Sequence, residues 1–197
     1  MPSLYIEATH QRRGALAKRF VLIDRDGTLN LEKNYLSDPD QLELISGAGA
    51  AVKRLQAAGW GICVVSNQSG VARGYIDLEQ LAKVHRRLAE MLIRFDVRLD
   101  GIYFCPHGPD DGCNCRKPLP GMVHQAAADH GFDPRQAWVI GDKEVDVGLG
   151  HALGAKSILV RTGYGKRYES ETKADFIADD LAGAIDLILD GMRQNIG

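Results

Sequence analysis

The sequence predicts an α/β fold, a three-layer sandwich with helices on both faces of a mostly parallel sheet. Three observations carry this. Apolar, β-rich runs alternate with stretches of helical periodicity along the 197 residues. The runs are hydrophobic almost throughout, as strands buried on both faces are. Finally, polar residues capable of chemistry gather just beyond the runs, where the loops of an open α/β sheet converge.

In chain order, FVLID at 20–24, GICVVSN at 61–67, GIYFC at 101–105, AWVIGD at 137–142 and SILVR at 157–161 read as strands. Helical spacing of apolar residues marks 49–58, 78–95, 121–130, 145–153 and 181–192. FIAD at 176–179 adds a short edge strand. Strand, helix, strand repetition implies right-handed crossovers and a parallel, Rossmann-like sheet. The chain length suits one domain on a prior of roughly 150 residues each. Residues 19–197 are therefore expected to form it, with 1–18 as an N-terminal arm, and no repeat, low-complexity tract or linker divides them.

With 45% hydrophobic and 25% charged residues the composition is that of a globular protein and argues against long disorder. A formal net charge of -2 offers no reason for a nucleic-acid or membrane partner. No apolar run is long enough for a signal-peptide core or a membrane span, so a cytoplasmic protein is expected, and with modest charge and no identifiable exposed apolar stripe a monomer. In that reducing compartment the four cysteines favour metal binding or burial over disulfides.

The first strand runs into Asp24-Arg25-Asp26-Gly27-Thr28-Leu29-Asn30. A lone loop Asp usually caps a helix or turn, but that reading leaves the second carboxylate unexplained. Nucleophilic attack on phosphorus explains both, with Asp24 forming an acyl phosphate. Asp26 then protonates the leaving alkoxide and activates water, provided a crowded anionic site raises its proton affinity.

The rest of the chain offers matching parts. Ser66 and Asn67 suit phosphate oxygens, Lys117 neutralises developing charge, and Arg116 suits a second anionic group. Asp142 supplies a hard oxygen for magnesium. Asp146 reads equally well as a carboxylate behind that metal or as a first-turn helix residue.

Cys105-Pro106-His107 and Cys113-Asn114-Cys115 make C-x-H-x5-C-x-C, which fits a closed, structural zinc site in a loop at 105–115 that presents Arg116 and Lys117. The alternatives are unrelated surface residues or a strained Cys113–Cys115 disulfide. Cys63 reads as a core residue, and no role follows for His10, His85, His124, His130 or His151.

These motifs resemble the haloacid dehalogenase superfamily of phosphohydrolases over 20–179, through Asp24 and Asp26, Ser66, Lys117 and Asp142. The zinc loop running into Cys-Arg-Lys-Pro resembles the subgroup of heptose-bisphosphate and histidinol-phosphate phosphatases. Ser66-Asn67-Gln68-Ser69-Gly70-Val71-Ala72-Arg73-Gly74, Gly101-Ile102-Tyr103 and Gly141-Asp142-Lys143 look more like the heptose branch.

The resemblance implies a small phosphorylated sugar as substrate, the 7-phosphate of a heptose 1,7-bisphosphate, in nucleotide-activated heptose biosynthesis. It implies magnesium held by Asp24, the main-chain carbonyl of Asp26, and Asp142. Ser66 and Lys117 would hold the phosphoryl group, and Arg116 and Lys143 a second phosphate. Asn30, Glu32, Tyr35, Asn67, Gln68, Ser69 and Arg73 would contact substrate. The segment Leu31-Glu32-Lys33-Asn34-Tyr35 departs from the heptose pattern, and Ser66 stands where Thr is usual. No insertion long enough for a large cap domain separates the strands, so an open site is expected, with the zinc loop serving as its lid. A histidinol-phosphate phosphatase, a non-catalytic phosphoacceptor module and a zinc-dependent binding protein are the alternatives.

Overall fold

A computed structural model describes residues 18–193. Except for Lys18, the expected N-terminal arm lies outside them. Six strands form one sheet: β1 (Phe20–Ile23), β2 (Gly61–Asn67), β3 (Gly101–Cys105), β4 (Trp138–Gly141), β5 (Lys156–Val160) and β6 (Phe176–Ala178). Their order is β3-β2-β1-β4-β5-β6 and every pairing is parallel.

The helices are α1 (Ala48–Ala57), α2 (Leu78–Ile93), α3 (Gly121–His130), α4 (Glu144–Leu153), α5 (Gly165–Tyr168) and α6 (Leu181–Arg193). Strand side chains alternate between two apolar layers. Val21, Ile23, Ile62 and Val64 pack with Val52 and Leu55 of α1, Leu88 of α2 and Ile185 of α6. Phe20, Leu22, Cys63 and Val65 pack with Val123 and Ala126 of α3 and Leu149 of α4. Each such aliphatic side chain contributes about 1.5–3 kcal/mol by leaving water. Helix α2 starts on a capping box: Asp77 Oδ1 accepts from Gln80 N at 2.7 Å, and Gln80 Oε1 accepts from Asp77 N at 2.9 Å.

The edge strand at 176–178 forms where the sequence predicted it. Strands β1 and β4 end one residue before Asp24 and Asp142, which start the turns, although Asp24 N still donates to Ile140 O at 2.9 Å. Helix α5 and the 3-10 turns Pro39–Gln41 and Pro134–Gln136 escaped the periodicity analysis because three or four residues carry no readable period. Among the described residues no segment folds as a separate cap, and no helix is long and apolar enough to cross a membrane.

The sheet changes direction beside β1: β2 and β3 lie on one side, and β4, β5 and β6 on the other. At such a switch point the loops leaving the two neighbouring strands diverge and open a crevice. Asp24, after β1, and Asp142, after β4, stand at its base.

Candidate active site

Three buried carboxylates, Asp24, Asp142 and Asp146, bring oxygens within 4.8 Å of one another. Lys117, 3% exposed, is driven between two of them. Its Nζ lies 2.7 Å from Asp24 Oδ1, 2.6 Å from Asp146 Oδ1 and 2.7 Å from Val65 O. Burial alone would lower the lysine's proton affinity, but the charges of Asp146 and Asp24 outweigh it and raise the value. The backbone of Lys117 is fixed by Asn67, whose Oδ1 accepts from Lys117 N at 2.9 Å while its Nδ2 donates to Lys117 O at 3.1 Å. Asn67, expected at the substrate, therefore has both ends of its amide on the lysine's backbone.

Asp142 sits in a cradle that only glycine permits. A Cβ on Gly27 (φ 84°) or Gly163 (φ 55°) would collide with its Oδ2, which accepts from Tyr164 N at 2.8 Å. Thr162 Oγ1 donates to Gly27 O at 2.7 Å and ties the two loops together. Asp142 Oδ1 is buried with no hydrogen bond, its nearest cation being Lys143 Nζ at 3.9 Å. A buried, orphaned carboxylate oxygen within reach of two further carboxylates fits a hard divalent cation such as magnesium.

Asp146 is tied both to Lys117 and to the start of α4, accepting from Lys143 N at 3.1 Å. The first-turn helix reading of this residue therefore describes a real contact, and Lys117 is a partner that neither reading named. Burial first and the Asp24 charge next push Asp142 up to about 7. Burial raises Asp146 to about 6 despite Lys117. Both folded values lie above the ordinary carboxylate range, so this stabilisation is complete below about pH 4 and is lost as pH rises through 6 to 7. Without added magnesium the protein is therefore expected to melt higher at about pH 5.5 than at about pH 8, and magnesium should close the gap. Differential scanning calorimetry at the two pH values checks this; a gap that magnesium leaves unchanged contradicts it.

Asp26 requires a correction. The anionic crowding expected to raise its proton affinity lies instead at Asp142 and Asp146. Burial would raise Asp26, but the Arg25 guanidinium and hydrogen bonds from Asn30 and Gln68 together hold it below the ordinary value. Arg25, 1% exposed, lies 2.8 Å from Asp26 Oδ2; Asn30 Nδ2 donates to Oδ1 at 3.0 Å and Gln68 Nε2 to Oδ2 at 2.9 Å. Asn30 is fully buried with its other amide hydrogen on Leu31 O, so it shapes the turn and is not presented to substrate.

The sequence reading gives Arg25 no role. Its signal was its place between two carboxylates at the end of a buried strand. His85 lies near Arg25 and packs on Phe104 with ring centroids 5.3 Å apart. Burial first, then the Arg25 charge, lowers its proton affinity to about 3, so it is neutral.

The pocket above these groups has a volume of about 360 Å³. Of the expected substrate contacts, Glu32, Tyr35, Asn67, Gln68, Ser69, Arg116 and Lys143 line it, whereas Arg73 is exposed and outside it. Lys143 Nζ pairs with Glu32 Oε2 at 3.0 Å and sits 4.9 Å over the Tyr164 ring. Burial would lower its proton affinity, but Asp24, Asp142 and Glu32 raise it. Tyr164 and Tyr168 belong to the wall made around α5, which no sequence period marked. Tyr35 holds a left-handed backbone (φ 59°) and packs against Tyr75 at 4.8 Å.

Beside the pocket, Cys105, His107, Cys113 and Cys115 gather as the sequence predicted. Sulfur-sulfur and sulfur-Nδ1 distances of 3.2 to 3.6 Å are close to the edges of a tetrahedron of metal ligands. All the cysteines are free, so the disulfide alternative falls. Arg116 Nη1 donates to His107 O at 3.2 Å, which ties the cluster to the pocket wall.

Comparison with known proteins agrees with this geometry. A HAD-hydrolase-like family model matches residues 114–184. The D-glycero-beta-D-manno-heptose-1,7-bisphosphate 7-phosphatase of Pseudomonas aeruginosa is 38% identical over 177 residues, 88% of this chain and 99% of that protein. The chain belongs to the haloacid dehalogenase-like phosphatases. The Haemophilus ducreyi enzyme of the same name is 40% identical over 181 residues, 88% of this chain and 98% of its own. The solved D,D-heptose 1,7-bisphosphate phosphatase of B. bronchiseptica, complexed with magnesium and phosphate, superposes with a TM-score of 0.82 at 33% identity. It covers 88% of this chain and 99% of its own. The relatives are named phosphatases, and the chain is accordingly a phosphoric monoester hydrolase of a family that works with magnesium.

Proposed function

We propose that this protein removes the 7-phosphate of D-glycero-D-manno-heptose 1,7-bisphosphate, with preference for the β-anomer named in its relatives. The single observation that carries the reading is the division of positive charge in one pocket. Lys117 serves the nucleophile at the floor, while Arg116 and Lys143 stand on the walls where a second phosphate needs them. A cavity of about 360 Å³ suits a sugar bisphosphate. Tyr35, Glu32 and Ser69 line the same pocket and would meet its hydroxyls.

The carboxylate of Asp24 attacks phosphorus as the bond from phosphorus to the sugar oxygen breaks. That oxygen leaves with the bonding electrons and takes a proton from Asp26. Water then attacks the phosphorus of the acyl phosphate, giving a proton to Asp26 as the bond from phosphorus to Asp24 breaks, which frees the Asp24 carboxylate and releases inorganic phosphate. The donors around Asp26 hold the ionised form that activates water; the incoming phosphate's negative charge raises its proton affinity for the first half. Lys117 and the Ser66 hydroxyl hold the phosphoryl oxygens. Asp24, the Asp26 carbonyl and Asp142 would hold magnesium, whose charge would screen the repulsion between carboxylates and phosphate.

Phosphate release from the two heptose anomers and from histidinol phosphate, in magnesium, tests this. Fast release from the β-anomer is expected. Equal or faster release from histidinol phosphate, or none from either anomer, sinks the substrate assignment.

The four-ligand cluster takes zinc in a structural role, since all four positions are filled by protein. One zinc per purified chain is expected by atomic emission. Cys115→Ser should lose it, lower the melting temperature by several degrees and reduce turnover about tenfold or more, because Arg116 and Lys117 follow directly. A zinc-free chain that melts and turns over like the parent contradicts this. The protein is expected to be a monomer.

A further inference from the structure

The side chain of Gln68 is 7% exposed and makes three hydrogen bonds, each to a different part of the site. Its Oε1 accepts from Arg25 Nη2 at 3.1 Å. Its Nε2 donates to Asp26 Oδ2 at 2.9 Å and to Ser66 Oγ at 2.8 Å. A glutamine amide can be flipped in principle, but Arg25 settles the orientation, because a guanidinium has only donors and must face the amide oxygen. The amide nitrogen is thereby committed to the other two partners.

Each partner's behaviour follows from that orientation. Ser66 Oγ receives a hydrogen from Gln68, so its own hydrogen is left to be donated elsewhere, into the pocket that it lines beside Asp24. Asp26 is held from one side by Gln68 and from the other by Asn30, at a fixed place beside the same pocket.

We infer that Gln68, oriented by Arg25, is a positioning residue that couples the acid/base carboxylate Asp26 to the phosphoryl-holding hydroxyl of Ser66. It makes Ser66 a donor toward phosphate and sets Asp26 where the leaving oxygen will be. The assignment rests on the aspartyl-phosphate reading above and refines it: Gln68 acts through its two neighbours rather than by touching substrate.

The test uses the full chain in magnesium with Gln68→Glu, which keeps the shape and the acceptor toward Arg25 but loses both donors, and with Gln68→Met, which loses all three bonds. Two esters separate the roles. A sugar alkoxide needs a proton to leave, whereas nitrophenolate does not, so misplacing Asp26 penalises the alkyl ester selectively.

With the fold verified by circular dichroism, kcat on the heptose bisphosphate is expected to fall about 10- to 100-fold in both variants, and kcat on nitrophenyl phosphate to fall much less. Calorimetric affinity for inorganic phosphate is expected to weaken about tenfold, since Ser66 is no longer kept as a donor. Equal losses on the two esters, a change confined to KM, or unchanged phosphate affinity would overturn the inference. A parent inactive on the heptose but active on another alkyl phosphate refutes the substrate reading instead. Gln68 is then judged on that alkyl-to-aryl ratio, and the phosphate affinity judges it without any turnover.

Discussion

Asp24→Asn is expected to lower turnover by at least about 10⁴-fold and to leave the fold intact. The amide keeps the size and polarity of the carboxylate but cannot attack phosphorus to form the acyl phosphate. Packing supports the second half of the expectation. Asp24 belongs to a crowded set of three acidic groups, and its charge raises the proton affinity of both Asp142 and Asp146. Removing that charge relieves repulsion, while Lys117 keeps Asp146 as a partner at 2.6 Å. The variant should therefore melt no lower than the parent when magnesium is absent, and gain less than the parent when it is added. Turnover and melting with and without magnesium check both parts; a folded variant with a tenth of the parent's turnover would remove Asp24 from the nucleophile's role.

Lys117→Met separates charge from packing at the same place. Methionine is unbranched and similar in length, so little cavity forms, but the only cation within 2.7 Å of Asp24 and Asp146 among the described residues is gone. Breaking a buried ion pair by removing one partner costs about 3–5 kcal/mol. That loss should appear in urea unfolding without magnesium and shrink when magnesium is present. Turnover should fall about 10²- to 10³-fold, the usual cost of losing one preorganised charge at a transition state. Stability within about 1 kcal/mol of the parent in both conditions would mean that Lys117 balances no buried charge.

Much of this site was legible before any coordinate. Asp24, Ser66, Asn67, Cys105 and Asp142 stand at or just beyond the ends of hydrophobic strand runs, and in a parallel sheet strand ends share one edge, so residues far apart in sequence could be placed together. The C-x-H-x5-C-x-C spacing was short enough to close on itself whatever the fold. The proton balance of the site was not legible. Asp26 reads as one of two crowded carboxylates, yet its neighbours are Arg25, Asn30 and Gln68, and its proton affinity is lowered. Asn30, Asn67 and Gln68 read as polar residues free to meet a ligand, yet each amide is bonded inside the protein. Arg73 reads as part of the same motif, yet the turn after Ser69 carries it out to solvent.

What the sequence determined by itself is therefore the sheet, the edge on which the chemistry collects and the ligand set of the metal loop. Those depend on periodicity and on short spacings, which are local properties of the chain. Tertiary structure decided which polar groups remain available and which are ionised. Hydrogen-bond partners and charges within a few ångströms control both, and these come from residues as distant as Asp24 and Lys117, or Arg25 and Gln68. Only the closed packing of the loops brings such pairs into contact and removes the water that would otherwise satisfy them.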